Sequence, residues 1–270
     1  MRFVKGHGTE NDFVVLPPGE APAQLDASLV RALCDRRAGI GADGVLRVVE
    51  VGQTEGSDPT VRWFMDYRNA DGSIAEMCGN GIRVFARYLV SARLAPPGRL
   101  RIATRAGVKD VDVPVRGDIS VNMGVAERLD DAKVVVGDHR WEAAGWSMGN
   151  PHLVVVDVPD LDALDLARPP VIDPPQAYPD GANVEFVERL GDRHIRMRVH
   201  ERGVGETRSC GTGACAAAVA VMDIRQERAS YDVDVPGGRL VVAWREDGSV
   251  LLTGPAVLVA EGEYRRDATP

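Results

Sequence analysis

The sequence predicts an α+β protein, and three observations carry that reading. Short apolar runs with two-residue alternation recur along most of the 270 residues. Only a few stretches show the one-face spacing of a helix. Two of those stretches open with the same device, Cys78-Gly79-Asn80-Gly81 and Cys210-Gly211-Thr212-Gly213, nearly half a chain apart. The duplication suggests two similar lobes.

In chain order, strands are expected at 2–5, 12–16, 45–51, 61–66, 100–104, 108–115, 119–123, 133–136, 153–157, 184–188, 194–200, 231–235, 239–244 and 250–252. Pro236-Gly237-Gly238 and Asp247-Gly248 supply the turn chemistry that makes hairpins of the last three. A helix is expected over 28–37, where Leu29, Val30, Leu33 and Cys34 share one face. The other helices follow the paired motifs, at 82–90 and 214–222. Residues 117–124 are the preferred crossing point between lobes, although no Ser/Gly-rich linker marks them.

Composition narrows the possible partners. An apolar content of 44% can fill a sizeable core, and no run of apolar residues is long enough for a membrane span. The first residues, Met1-Arg2-Phe3-Val4-Lys5, lack the pattern of an export signal, so a cytoplasmic protein is expected. The net charge of −8 is spread along the chain, which argues against nucleic acid and anionic membranes as partners. Four cysteines, Cys34, Cys78, Cys210 and Cys215, read as free thiols in such a chain. Their spacing does not match a structural zinc site.

The paired motif has chemical consequences. A helix start leaves backbone N–H groups without intrahelical partners and carries a partial positive charge, which favours a thiolate at the cap and a bound carboxylate nearby. A free thiol titrates near ~8.5, and a helix start lowers that. The glycines let a ligand approach the backbone closely. Two thiols so placed suit inversion at a carbon beside a carboxylate, where a base removes a proton from one face and an acid delivers one to the other. A thiol/thiolate pair brings a single charge where two carboxylates would bring two. Pyridoxal phosphate would need a Schiff-base lysine, and none of Lys5, Lys109 and Lys133 sits in a suitable setting. No cofactor and no metal are expected.

From end to end the chain resembles the diaminopimelate epimerases. The resemblance lies in His7-Gly8-Thr9-Glu10-Asn11-Asp12-Phe13, Gly39 to Gly44, Tyr67-Arg68-Asn69-Ala70-Asp71-Gly72, Met77 to Gly81, Gly149-Asn150-Pro151-His152, Gly181-Ala182-Asn183-Val184, Glu201 to Thr207, and Ser209 to Ala214. It implies a cofactor-independent epimerase that interconverts LL- and meso-2,6-diaminopimelate, with Cys78 and Cys210 as the two catalytic bases. It further implies that the backbone at Gly79, Asn80, Gly211 and Thr212 holds the carboxylate on the reacting carbon. Asn11, Asn69, Asn150, Asn183 and Arg202 would recognise the rest of the substrate, and Glu201 its ammonium. His152 and Glu201 would tune the thiols. The implied fold has two pseudo-symmetric lobes, 1–118 plus about 254–270 and 119–253, each a β-rich layer around a central helix, with the site in the cleft between them. A closing strand at 257–261 would return to the first lobe, and the family's habit is a homodimer. The chain departs from the family at Glu10, where Gly is usual, and at Gly44, where Gln occurs.

Other readings of the same residues are a proline racemase-like isomerase, a thiol redox protein cycling Cys78 and Cys210 through a disulfide, and a non-catalytic amino-acid binder. The polar set Asn69, Asn183 and Arg202 favours a substrate with a functional distal end over proline. Cys34 on an apolar face and Cys215 among alanines are read as core residues.

Overall fold

Period-two alternation dominates the sequence, and strands dominate the fold. The computed structural model describes residues 1–22, 24–52 and 58–265, and these form an α+β protein with three α-helices among the described residues. They divide into two compact units, Met1–Val121 with the described part of Gly254–Pro270, and Asn122–Thr253. Residues 266–270 of the expected first lobe lie outside the described residues.

In the first unit the chain's last strand, Val257–Glu263, runs antiparallel to the first, Arg2–Gly8, which pairs in turn with Asn11–Leu16. Parallel pairing to Gly44–Glu50 follows, then antiparallel pairing to Val61–Asn69, parallel to Gly98–Thr104 and antiparallel to Gly107–Val113. Helix α1 (Ala27–Cys34) covers one face of this sheet: Leu29, Val30, Leu33 and Cys34 pack with Val14, Leu16 and Val45. Helix α2 (Gly79–Ser91) packs against Arg2–Gly8, Asn11–Leu16, Val257–Glu263 and Gly107–Val113. Strands from both ends of the pairing order therefore touch one helix, and the layer curls around it. Alternation sorts the residues between the two helices, since Phe13 and Leu46 point toward Gly81 of α2 while their neighbours Val14 and Val45 face α1.

In the second unit, helix α3 (Gly211–Ile224) packs against Pro151–Val156, Asn183–Gly191, His194–Glu201 and Gly238–Trp244. Pro151–Val156 runs parallel to Asn183–Gly191, which pairs antiparallel with His194–Glu201. Helix α3 is buried all round: Ala214, Cys215, Ala216, Ala217 and Ala218 are each 0% exposed. Small side chains let strands close on every side of it. The far face of this sheet carries a second apolar layer, in which Leu153, Val155, Val184 and Phe186 meet Val134, Leu161 and Leu166.

Several expectations change in detail. The first helix ends at Cys34 rather than at 37, because the Asp35 carboxylate accepts the N–H groups of Arg37 and Ala38, both at 2.7 Å, and holds them in a turn. The strand His139–Ser147 was absent from the expected set. Of its core-facing positions Trp141, Ala143 and Gly145, the last two carry little or no side chain, and a Cβ at Gly145 would stand 2.1 Å from the Asp130 carbonyl. The tight fit that removes the side chains also removes the apolar signal.

Candidate active site

Both Cys-Gly motifs fold into the same local geometry. Cys78 is the N-cap of α2 with φ −139° and ψ 124°, and its Sγ accepts the Gly81 N–H at 3.3 Å. Cys210 is the N-cap of α3 with φ −121° and ψ 116°, and its Sγ accepts the Gly213 N–H at 3.4 Å. Sulfur thus occupies the place usually taken by a Ser or Asp oxygen. The N–H groups of Gly79 and Asn80, and of Gly211 and Thr212, open the two helices, ahead of the first residues that donate four positions back.

Around Cys78 the first unit gathers an amide network. The Cys78 thiol donates to Asn11 Oδ1 at 3.6 Å, and Asn80 Nδ2 donates to the same oxygen at 3.2 Å. The other end of Asn11 is held by Asp43 Oδ2 at 2.8 Å. Arg83 is fully buried and organises the first turn of α2, donating to the Gly79 carbonyl at 3.1 Å, Asn80 Oδ1 at 2.9 Å and the Pro255 carbonyl at 3.3 Å. A buried guanidinium needs such acceptors, and here they orient Asn80 with its NH2 toward Asn11. Asn69 stands apart: its Nδ2 donates to Ser73 Oγ at 3.0 Å, and its backbone lies beside the network, paired with Gly44 and followed by Ala70, whose N–H binds the Asp43 carbonyl.

Around Cys210 the second unit gathers carboxylates. His152 and Asn183 lie opposite each other on parallel strands, and His152 is fully buried. Its Nδ1 lies 2.7 Å from Glu185 Oε1 and its Nε2 3.0 Å from Asn150 Oδ1. Glu201 accepts the Thr207 hydroxyl at 2.5 Å. Asn183 Oδ1 accepts the Arg202 backbone N–H at 2.9 Å, while the Arg202 guanidinium is exposed and reaches the Asp180 carbonyl. A cavity of about 350 Å³ opens beside it, lined by Pro151, Tyr178, Gly181 and Arg202 among others. Thr212 Oγ1 lies 3.5 Å from the Cys210 sulfur.

Electrostatics separate this thiol from an ordinary one. Burial pushes Cys210 well above the usual thiol range, the Glu201 and Glu185 carboxylates push it further, and the Thr212 hydroxyl and Gly213 N–H oppose them without cancelling. Burial also raises Glu201, with the Glu185 charge adding to it, although the Thr207 hydroxyl and Cys210 pull the other way. Cys34 and Cys215 are buried.

Three participants escaped sequence reasoning: Asp43, Arg83 and Glu185. The signal for Glu185 was available, because it lies two residues after Asn183 on the same strand face, and an acid at an inward strand position requires a partner. Gly44, where the family can carry Gln, has no room for a side chain: a Cβ would stand 2.6 Å from the Arg68 carbonyl and 2.7 Å from the Tyr67 ring.

Comparison with known proteins gives a consistent result. The family profile described as Diaminopimelate epimerase matches residues 3–129 and 146–259. A diaminopimelate epimerase of Streptomyces coelicolor is 55% identical over 278 residues, covering 98% of this chain and 95% of the relative. One from Thermobifida fusca is 48% identical and covers 99% of each. Among solved structures, a probable proline racemase from Agrobacterium radiobacter aligns at a TM-score of 0.72 and 15% identity, covering 99% of this chain and 94% of that one. A predicted epimerase from Pseudomonas aeruginosa also aligns at 0.72, with 16% identity and coverage of 97% and 98%. At those identities the shared feature is the fold.

Proposed function

The chain belongs to the diaminopimelate epimerase family, and from that premise we propose that it interconverts LL- and meso-2,6-diaminopimelate by proton transfer between two thiols, without a cofactor. The observation that carries the reading is the repeated cap, a cysteine sulfur on the third N–H of a helix whose opening turn bears the partial positive charge that favours a carboxylate.

Inversion requires the thiols to reach the α-carbon from opposite faces. One thiolate removes the α-proton, the carbanion charge is drawn onto the carboxylate held by the N–H groups of Gly79, Asn80, Gly211 and Thr212, and the other thiol returns a proton. The hard part is acidity, since each pH unit separating the α-proton from the thiol costs ~1.4 kcal/mol. Backbone donors meet this cost because they are fixed before the reaction begins and need no reorganisation. Burial and two carboxylates push the Cys210 thiol well above the usual range, which favours its proton-bearing form in the free protein.

The remaining polar groups fit a doubly zwitterionic substrate. Asn11, Asn69, Asn150, Asn183 and Arg202 supply donors and acceptors for the distal end, and Glu201 supplies an anion for an ammonium. His152 and Glu201 adjust the environment of Cys210. The same reading places the enzyme in the cytoplasm as a homodimer with a small-molecule substrate, serving lysine and cell-wall precursor synthesis. Incubating the reduced, dialysed and chelator-treated protein with LL-diaminopimelate tests it. Formation of the meso isomer, reduced by about a thousandfold or more in Cys78→Ala and in Cys210→Ala, is expected; turnover surviving either substitution sinks the two-thiol mechanism.

A further inference from the structure

Two charged groups stand at the ends of the amide network beside Cys78, and each bonds in one sense only. Arg83, fully buried, donates and cannot accept, so Asn80 turns its oxygen toward it at 2.9 Å. That leaves the Asn80 NH2 for Asn11 Oδ1, at 3.2 Å. At the other end the Asp43 carboxylate serves three donors: Oδ1 takes Arg36 at 2.7 Å, while Oδ2 takes the Asp12 N–H at 3.1 Å and Asn11 Nδ2 at 2.8 Å. Backbone bonds aim this carboxylate, since the Asp43 N–H meets the Asp12 carbonyl at 2.9 Å and the Asp43 carbonyl accepts the Ala70 N–H at 3.1 Å. Both ends therefore assign Asn11 the same orientation, NH2 toward Asp43 and oxygen toward Asn80. The same oxygen meets the Cys78 sulfur at 3.6 Å.

We propose that Asp43 is a positioning residue for Cys78, acting through Asn11 to keep a carbonyl oxygen, rather than an NH2, against the sulfur. The two ends of an amide have nearly the same shape but opposite polarity, so a carboxylate at one end decides what stands at the other. The opening turn of α2 and the Gly81 N–H, at 3.3 Å, favour negative charge on the sulfur. The Asn11 oxygen accepts an S–H and opposes that charge. On the two-thiol reading Cys78 gives a proton in one direction of turnover and takes one in the other, and opposed neighbours suit both tasks. Asn11 is then nearly saturated. Its oxygen is taken by Cys78 and Asn80 and one N–H by Asp43, which leaves a single N–H for a substrate.

The role in turnover rests on the epimerase reading; the hold on the sulfur does not. Two measurements on the full-length, reduced protein separate them. In the first, iodoacetamide labelling of each cysteine is followed by peptide mass, the thiolate being the form that reacts. Asp43→Ala is expected to label Cys78 about fivefold faster or more, as for loss of one hydrogen bond, while Cys210 stays within about twofold of the parent. Because the effect runs through Asn11, Asp43→Ala is expected to add less than about twofold once Asn11→Ala is present. A Cys78 rate within about twofold of the parent, a parallel rise at Cys210, or full additivity of the two substitutions each overturns the proposal. Where Asp43→Ala fails to fold, Asp43→Asn replaces it: one oxygen then serves both Arg36 and Asn11, so Cys78 is expected to label at least about twofold faster, and an unchanged rate overturns the proposal equally. In steady-state kinetics Asp43→Ala is expected to lower kcat for diaminopimelate about fivefold or more, and by less than about twofold in the Asn11→Ala protein. A kcat within about twofold of the parent overturns the role in turnover. Should the parent itself fail to convert diaminopimelate, the assigned reaction falls and the labelling rates alone decide.

Discussion

Glu185 Oε1 lies 2.6 Å from the position where a side chain on Gly213 would begin, while the matching glycine of the other motif, Gly81, has 3.3 Å to its nearest neighbour. The two motifs share one cap geometry but differ in tolerance. Gly81→Ala places its Cβ in tight contact with Cys78 Cβ, Leu46 and Phe13, which a few tenths of an ångström relieves. Gly213→Ala must displace a buried carboxylate. Thermal or denaturant unfolding should show Gly213→Ala destabilised by about 1–3 kcal/mol and Gly81→Ala by less than about 1 kcal/mol. Equal losses would mean that the Glu185 contact does not constrain α3.

Acid should weaken the turn that carries Asn11. Burial pushes Asp12 up, but hydrogen bonds and charge from Arg36 and Lys5 outweigh it and hold the carboxyl at about 2, below the ordinary 3.8. A depressed value in the folded state stabilises above the unfolded value and is lost as pH falls from about 4 toward 2. The loss is ~2 kcal/mol, discounted because Arg36 is largely exposed. Chemical denaturation of Asp12→Asn across this window should give a flatter curve than the parent. Parallel curves would show that the pair contributes nothing.

Alkali should act through the buried thiols. Burial raises Cys34 from 9.0 to about 12. A raised value stabilises below the unfolded value, and the contribution disappears as pH climbs from 9 to 12, by ~1.4 kcal/mol per unit. Cys34→Ala should therefore lose stability less steeply than the parent between pH 9 and pH 10.5. Cys210 is pushed up as well, so its alkylation by iodoacetamide, followed by peptide mass, should stay slower at pH 8 than that of a small free thiol. Fast labelling of Cys210 at pH 8 would contradict its assignment as the proton-bearing thiol.

The hairpin ahead of Asn11 stores strain. Thr9 and Glu10 both have positive φ, 48° and 60°, in a two-residue turn closed by the Gly8 and Asn11 pair. A left-handed conformation costs a non-glycine residue about 1–2 kcal/mol, and glycine's greater freedom in the unfolded chain returns part of that. Glu10→Gly should raise stability by about 0.5–1 kcal/mol in denaturant unfolding. A destabilised variant would mean that the Glu10 side chain contributes more than its strain costs.

How much of this was legible in the sequence follows from which interactions are local. Capping is local, so Cys78 and Cys210 could be read as helix starts, and both helices begin at the glycine that follows. Alternation is local too, and it located the strands around Phe13, Leu153 and Phe186. Gly145 shows the limit: a strand whose inner face is flattened against Asp130 and Tyr178 loses its pattern, because the cause lies elsewhere in the chain. The same holds for Glu185 and Arg83. Each is a buried charge whose partners, His152 in one case and Gly79, Asn80 and Pro255 in the other, become neighbours only in the folded protein. Asn11 and Asn69 share a motif-level resemblance but separate in space, with Asn11 on the Cys78 sulfur and Asn69 on Ser73.

The claim that two thiols exchange protons at one carbon is tested most directly by isotope. Reduced protein is incubated with LL-diaminopimelate in deuterated water, and meso product and α-deuterium are followed together in the parent, Cys78→Ala and Cys210→Ala. The account predicts that early meso product carries one solvent deuterium at the inverted carbon and that either substitution abolishes its formation. Product that retains the substrate's own α-hydrogen from the first turnovers, or product formed by either variant at the parent's rate, would contradict it.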